Sequence, residues 1–203
     1  VVAVMGERLH IGDAQIGLGT GTLAVGTVTG TGAITNMGTG TVTLRGNSNV
    51  GGDVNLWAGT FGAAPAGQIG SLTVGGNLTV SSGVTILAGV NRALSPSNTV
   101  YTVTGAIVHA GGATLKVING GPALQIGDKF FIFNQAVPNA MAVTSPGYTF
   151  QNDLAIDGSI TVSAVAAAPS ITTTFTGPNQ VMLTWQTNWI GGVHLQAQTN
   201  TLG

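Results

Sequence analysis

Between Gly70 and Val90 the chain reads Gly-Ser-Leu-Thr-Val-Gly-Gly-Asn-Leu-Thr-Val-Ser-Ser-Gly-Val-Thr-Ile-Leu-Ala-Gly-Val, and this punctuation leaves few folds open. Leu72 and Val74, then Leu78 and Val80, then Val84 and Ile86 stand two residues apart, separated by Gly, Asn and Ser. Side chains alternate faces along a strand, so each pair marks a short strand with one buried face, while Thr73 and Thr79 point away from the core. The connections are too short for a helical crossover. The sheet must therefore change direction repeatedly, which is how a β-solenoid coils.

Composition supports a folded β chain over a disordered linker. Although 33 of 203 residues are glycine and only 5% are charged, 43% are hydrophobic, with many β-branched residues between the glycines. A net charge of −1 supplies no electrostatic footprint for nucleic acid and no basic patch for an anionic membrane. The lack of cysteine excludes disulfides and thiolate metal sites but leaves the compartment open. No run approaches the roughly 18 apolar residues of a membrane span. Val1 to Met5 is too short for the core of a signal peptide, so secretion would require a signal removed before Val1.

Along the chain, residues 1–19 are mixed, with Glu7, Arg8, His10 and Asp13 among apolar residues, and read as an N-terminal cap or leading strand. Residues 20–164 read as the solenoid. Leu23 and Val25, Val42 and Leu44, and Val54 and Leu56 repeat the two-apart pattern between Gly-Thr and Gly-Asn turns, at spacings too uneven for a fixed-period repeat. Phe61 to Gln68 reads as a protruding loop and Asn91 to Asn98 as a second one. The run Phe130-Phe131-Ile132-Phe133 reads as a strand buried on both faces. Residues 165–170 are a linker ending in Ala-Pro. Residues 171–203 form a sandwich-like segment with strands expected at 171–175, 180–185 and 193–199.

Two sets of residues carry a resemblance. Gly40-Thr41-Val42-Thr43-Leu44-Arg45-Gly46-Asn47, followed by Gly51-Gly52 and Ala58-Gly59-Thr60, resembles one copy of the autotransporter-associated β-strand repeat. Residues 70–162, with Leu78-Thr79-Val80, Ala123 to Phe130 and Leu154 to Val162, resemble the terminal β-helical part of large secreted proteins that carry such repeats. The tail, in Leu183-Thr184-Trp185 and Leu195 to Gly203, resembles modules that end some of them. The resemblance implies a right-handed parallel β-helix, export from a bacterial cell, and an extracellular or cell-surface, passenger-like role. It implies no activity.

Candidate sites are few. Asp153 and Asp157 are the closest carboxylate pair, and paired carboxylates can cleave glycosides, but here they read as strand-edge residues. Asp53 and Asp128 are isolated. His10, His109 and His194 lack the spacing of a zinc site. Gly17-Leu18-Gly19-Thr20-Gly21 reads as turns, since no Lys follows it as in a phosphate-binding loop. Asn77-Leu78-Thr79 matches the N-glycosylation pattern within a strand. The sequence thus presents no catalytic constellation, cofactor site or metal site, and reads as a non-enzyme.

Among Trp57, Trp185, Trp189, Tyr101 and Tyr148, the rings that could stack on a sugar, Trp57 and Trp189 are the surface candidates. Trp185 alternates with Leu183 and Val181 as a core residue would. A tail of about three strands cannot close a sandwich of roughly seven. Ile171, Phe175, Val181, Leu183, Trp185, Val193 and Leu195 are therefore expected to meet another surface, with copies of the same chain as the expected partner. The functional expectation is a self-assembling structural subunit of a bacterial surface or matrix, joined head to tail through solenoid ends and C-terminal strands. The alternative is a carbohydrate-binding or polysaccharide-cleaving β-helix with surface glycans as partners.

Overall fold

A computed structural model of the chain describes residues 2–4, 8–10, 14–17, 19–166, 171–177 and 180–185. It contains two compact units, Val1–Val165 and Ala166–Gly203. The first unit is a parallel β-helix closed by an antiparallel sheet, and the second contains an antiparallel hairpin.

Each rung of the coil has three short strands, one for each of three parallel sheets. The first rung is β1 (Val2–Val4), β2 (Arg8–His10) and β3 (Ala14–Ile16); the second is β4 (Thr22–Ala24), β5 (Thr27–Gly30) and β6 (Ile34–Asn36). The third is β7 (Thr41–Thr43), β8 (Asn47–Val50) and β9 (Val54–Leu56); the fourth is β10 (Thr60–Gly62), β11 (Ser71–Val74) and β12 (Leu78–Val80). The fifth is β13 (Thr85–Val90), β14 (Val100–Val103) and β15 (Ile107–His109), after which β16 (Thr114–Asn119) opens a sixth. Because β1, β2 and β3 already pair in parallel with the second rung, the coil begins before residue 20, in the stretch that the sequence reads as a cap or leading strand.

The register stacks like on like. On the first sheet Val42, Phe61, Ile86 and Leu115 form an inward column in which every side chain is fully buried. Beside it, on the outward side, Thr22, Thr41, Thr60, Thr85 and Thr114 are paired one above another. On the third sheet Ile34, Val54, Leu78 and Ile107 form another inward column. Each buried Leu, Ile or Phe contributes about 1.5–3 kcal/mol over an exposed one, so the columns are the main source of stability.

The corner between the second and third sheets explains the paired glycines. Gly51 donates to the Gly30 carbonyl at 2.7 Å and Gly75 to the Val50 carbonyl at 2.7 Å, while Gly52, Gly76 and Gly105 donate to Gly32, Gly52 and Gly76 at 3.0–3.1 Å. The backbone ladder thus continues around the corner. A Cβ on Gly52 would lie 2.8 Å from the Gly32 carbonyl carbon, and one on Gly105 would lie 2.6 Å from the Gly76 oxygen, so only glycine lets successive corners approach this closely.

Uneven repeat length has one location. Residues paired from rung to rung lie 20 positions apart early in the coil, then 24, then 29. The growth falls at the corner between the first and second sheets, which is residues 25–26 in the second rung but 63–70 and 91–99 in the fourth and fifth. The segment expected to protrude at Phe61 to Gln68 instead folds inward at its start: Phe61 belongs to β10 and is fully buried, and Ala63 and Ala64 are buried after it.

The coil ends differently from expectation. β18 (Ala142–Thr144) is its last parallel strand, while β17 (Lys129–Phe131), β19 (Tyr148–Asp153) and β20 (Ser159–Val165) form an antiparallel sheet. Leu154, Ile160, Val162 and Phe130 from this region belong to the same hydrophobic core as the coil, so the sheet caps that end. The one-turn helix α1 (Leu154–Asp157) joins β19 to β20. The apolar run is not buried on both faces throughout: Phe130, Ile132 and Phe133 are inside, but within β17 Phe131 is 52% exposed, with the Lys129 Nζ 4.9 Å from its ring centroid. No helix among the described residues is long and apolar enough to cross a membrane.

Three substitutions test this architecture. Gly52→Ala should lower stability by about 2 kcal/mol or more, because the methyl meets backbone that cannot move aside, whereas Gly19→Ala, with open space around it, should be close to neutral. Leu78→Asp, which buries a charge in a fully apolar column, should lose about 3 kcal/mol or more. Thermal melts followed by circular dichroism would measure all three; an unchanged melting temperature for Leu78→Asp would overturn the inward assignment.

Candidate functional site

The polar residues of the coil serve mainly to hold it. Asp157 accepts hydrogen bonds at Oδ1 from the Ser159 amide, at 3.1 Å, and from the Ser159 hydroxyl, and at Oδ2 from the Lys129 Nζ at 2.9 Å. The Ser159 hydroxyl, then Lys129, hold its carboxyl below the usual carboxylate range. A general acid needs the opposite shift. Asp153, the last residue of β19, accepts from the Gln151 side-chain amide instead, and Asp157 ends α1, so the two carboxylates sit in separate hydrogen-bond sets.

The other sequence candidates have structural partners. Asp128 Oδ2 accepts from the Gln125 amide at 2.8 Å and lies 3.7 Å from Arg92 Nε, and Arg92 Nη2 donates to Gln125 Oε1 at 2.8 Å. Asp53 Oδ1 accepts from the Asn77 amide at 2.7 Å, and Asn77 Oδ1 accepts from the Ala106 amide at 2.8 Å, so these side chains step from rung to rung beside the glycine corner. The exposed Asn77 therefore has its carbonyl oxygen engaged in the ladder. Gly19 and Gly21, between β3 and β4, accept from Thr39 Oγ1 and the Thr41 amide, as a turn does.

His109 is buried in the inward column that also holds Asn36, Leu56 and Val80. Its Nε2 accepts from the Ala113 amide at 3.3 Å, which makes Nδ1 the protonated nitrogen and donor to the Pro138 carbonyl at 3.0 Å. His10 lies on β2, and His194 lies outside the described residues. Among the described residues no group of three or more His, Cys, Asp or Glu is placed to hold a metal ion.

The aromatic candidates divide cleanly. Tyr101 is buried; its hydroxyl donates to the Leu87 carbonyl at 2.8 Å and accepts from the Ala63 amide at 3.0 Å, its ring stacks 5.4 Å from Phe133, and burial pushes the phenol well above its ordinary value. Tyr148 presents its hydroxyl to the Leu124 amide at 3.2 Å. Trp57, by contrast, is 52% exposed at the end of β9, and its amide continues the ladder by donating to the Asn36 carbonyl at 2.8 Å. Trp189 lies outside the described residues.

The outward faces of the second and third sheets were not singled out by motif. From the second rung to the fifth, the outward positions of the second sheet are Thr27 and Thr29, Asn47 and Asn49, Ser71 and Thr73, and Val100 and Thr102. Those of the third sheet are Thr35, Asn55, Thr79 and Val108. None carries a formal charge. The sequence signal was present as the Thr and Asn that alternate with the apolar residues, but it read as turn and strand chemistry.

The expected assembly residues fall on the hairpin of β21 (Ile171–Gly177) and β22 (Gln180–Trp185). Ile171 pairs with Trp185, Thr173 with Leu183, and Phe175 with Val181, and this register places the five of the seven expected residues that are described on one face of the hairpin. Thr172, Thr174 and Met182 occupy the other and are exposed. Val193 and Leu195 lie outside the described residues. In comparisons with known proteins, no family model, no curated protein and no solved structure matches this chain.

The Asp157 cluster generates a pH prediction. A carboxyl whose folded pKa is depressed stabilises the protein above its unfolded pKa, and that stability is lost as pH falls through the folded value. Denaturation between about pH 5 and pH 2 should therefore show a loss of stability that is smaller in Asp157→Asn, measured by urea midpoints at each pH. Equal pH dependence in the two proteins would remove the clamp.

Proposed function

We propose that this chain is a structural β-solenoid of a bacterial cell surface or extracellular matrix, and that copies of it join through the C-terminal strands. The observation that carries the reading is the register of β21 and β22, which groups Ile171, Phe175, Val181, Leu183 and Trp185 on one face of a two-stranded sheet. An isolated hairpin is marginally stable at best in water. Thr173, paired with Leu183 within this register, is exposed. The antiparallel sheet of β17, β19 and β20 over the last rungs favours the strand segment over end-on stacking at that end of the coil. Strand addition to a neighbouring copy would give a heterologous contact, and such contacts propagate into open filaments unless their rotation closes a ring. The coil would then act as the stiff spacer between joints.

Deleting residues 166–203 tests the joint. Light scattering and electron microscopy should show assemblies of the full chain and monomers of the truncated one. Filaments unchanged by the deletion would place the joint elsewhere, and a full chain that stays monomeric at high concentration would overturn the assembly reading.

A further inference from the structure

We propose that the third sheet carries a binding surface for a neutral, extended β-linked polysaccharide, centred on Trp57. Bonds from the Met37, Trp57 and Ser81 amides to the Ile16, Asn36 and Leu56 carbonyls, all 2.8–2.9 Å long, align these three residues in a column across successive rungs. Two positions earlier in each strand, Thr35, Asn55 and Thr79 form a parallel column facing outward, each half-buried at its base. The result is a patch three rungs tall, with an indole 52% exposed and a Met37 side chain 54% exposed beside a row of hydroxyl and amide groups.

Three properties of the patch select the ligand. An exposed indole offers a flat apolar face to the C–H face of a pyranose ring, and the adjacent Asn55, Thr35 and Thr79 offer both donors and acceptors to sugar hydroxyls. No side chain of the patch carries a formal charge, so an anionic polymer would lose hydration there without finding a counter-charge, whereas a neutral one matches it. Rungs ~4.8 Å apart stack this column in a straight line along the coil axis, so the flat ribbon of an extended β-linked chain can lie over all three rungs at once. A helical α-linked glycan cannot keep that line. This surface belongs to the coil and does not require the C-terminal joint, so it stands or falls independently of assembly.

The test uses the full chain with cellohexaose as the probe and maltohexaose and polygalacturonate oligomers as comparison ligands, each titrated by calorimetry. Binding of cellohexaose alone is expected, weakened at least about tenfold by Trp57→Ala, less by Trp57→Phe, and not at all by Asn49→Ala on the second sheet. Circular dichroism of each variant would confirm that the coil is intact, as the exposed position of Trp57 leads one to expect. No binding of cellohexaose at millimolar concentration would overturn the proposal. So would equal binding of the three ligands, or a Trp57→Ala protein that is folded and binds as the wild type does.

Discussion

The closest constraint in this molecule is the approach of one rung's backbone to the next at the corner between the second and third sheets. A strand can stack on its neighbour with side chains to either side, but a corner has no free side on which to put one. Gly51, Gly52, Gly75, Gly76 and Gly105 resolve this by carrying no Cβ, and their amides keep the interstrand ladder unbroken through the turn. Beside them Asp53 and Asn77 reach up one rung with a side-chain oxygen and satisfy the amides of Asn77 and Ala106. Once this corner is held at the strand spacing, the three sheets must stay in register, and the inward columns follow from it.

The opposite freedom exists at the corner between the first and second sheets. There the chain lengthens from rung to rung, and the added residues are fastened across rungs: Thr99 Oγ1 donates to the Gln68 carbonyl, Asn98 Nδ2 to the Phe131 carbonyl, and the Ala63 amide to the Tyr101 hydroxyl. Tyr101 can occupy the core because both of its hydroxyl's neighbours there are backbone groups left free by the long corner. Irregular length in one corner therefore coexists with a regular core. Closure of the coil uses different chemistry, with Lys129, Asp157 and Ser159 linking β17, α1 and β20 where the parallel ladder gives way to antiparallel pairing.

The proposed roles draw on different sets of residues. Most of the few described charges sit at corners and in the closing region, tied to backbone or to each other, and from the second rung to the fifth the outward positions of the second and third sheets are neutral. Neutral, repeating hydroxyl and amide rows suit a spacer or a surface for repeating neutral ligands. In the second unit the register of β21 and β22 is what supports the proposed contact with another sheet. These roles coexist in one chain because they use different residues: the coil turns its apolar groups inward, while the hairpin has no second layer of its own among the described residues.

By itself the sequence determined the all-β coil, because the alternation of Leu72, Val74, Leu78 and Val80 between glycines admits only short strands with one buried face, and strand periodicity is a local property. It also determined that Gly, Asn and Ser break the chain into short strands, since turn chemistry is likewise local. The tertiary structure alone decided which strands stack. β1, β2 and β3 join the coil because their backbone pairs with rung two, a contact about 20 residues away that no local pattern announces. Phe131 faces outward although its neighbours are buried, because β17 turns antiparallel and only one of its faces meets the core. Trp57 and the neutral columns become a surface only when separate rungs are laid side by side, for the same reason: adjacency across a solenoid is made by register, and register is set by the whole fold.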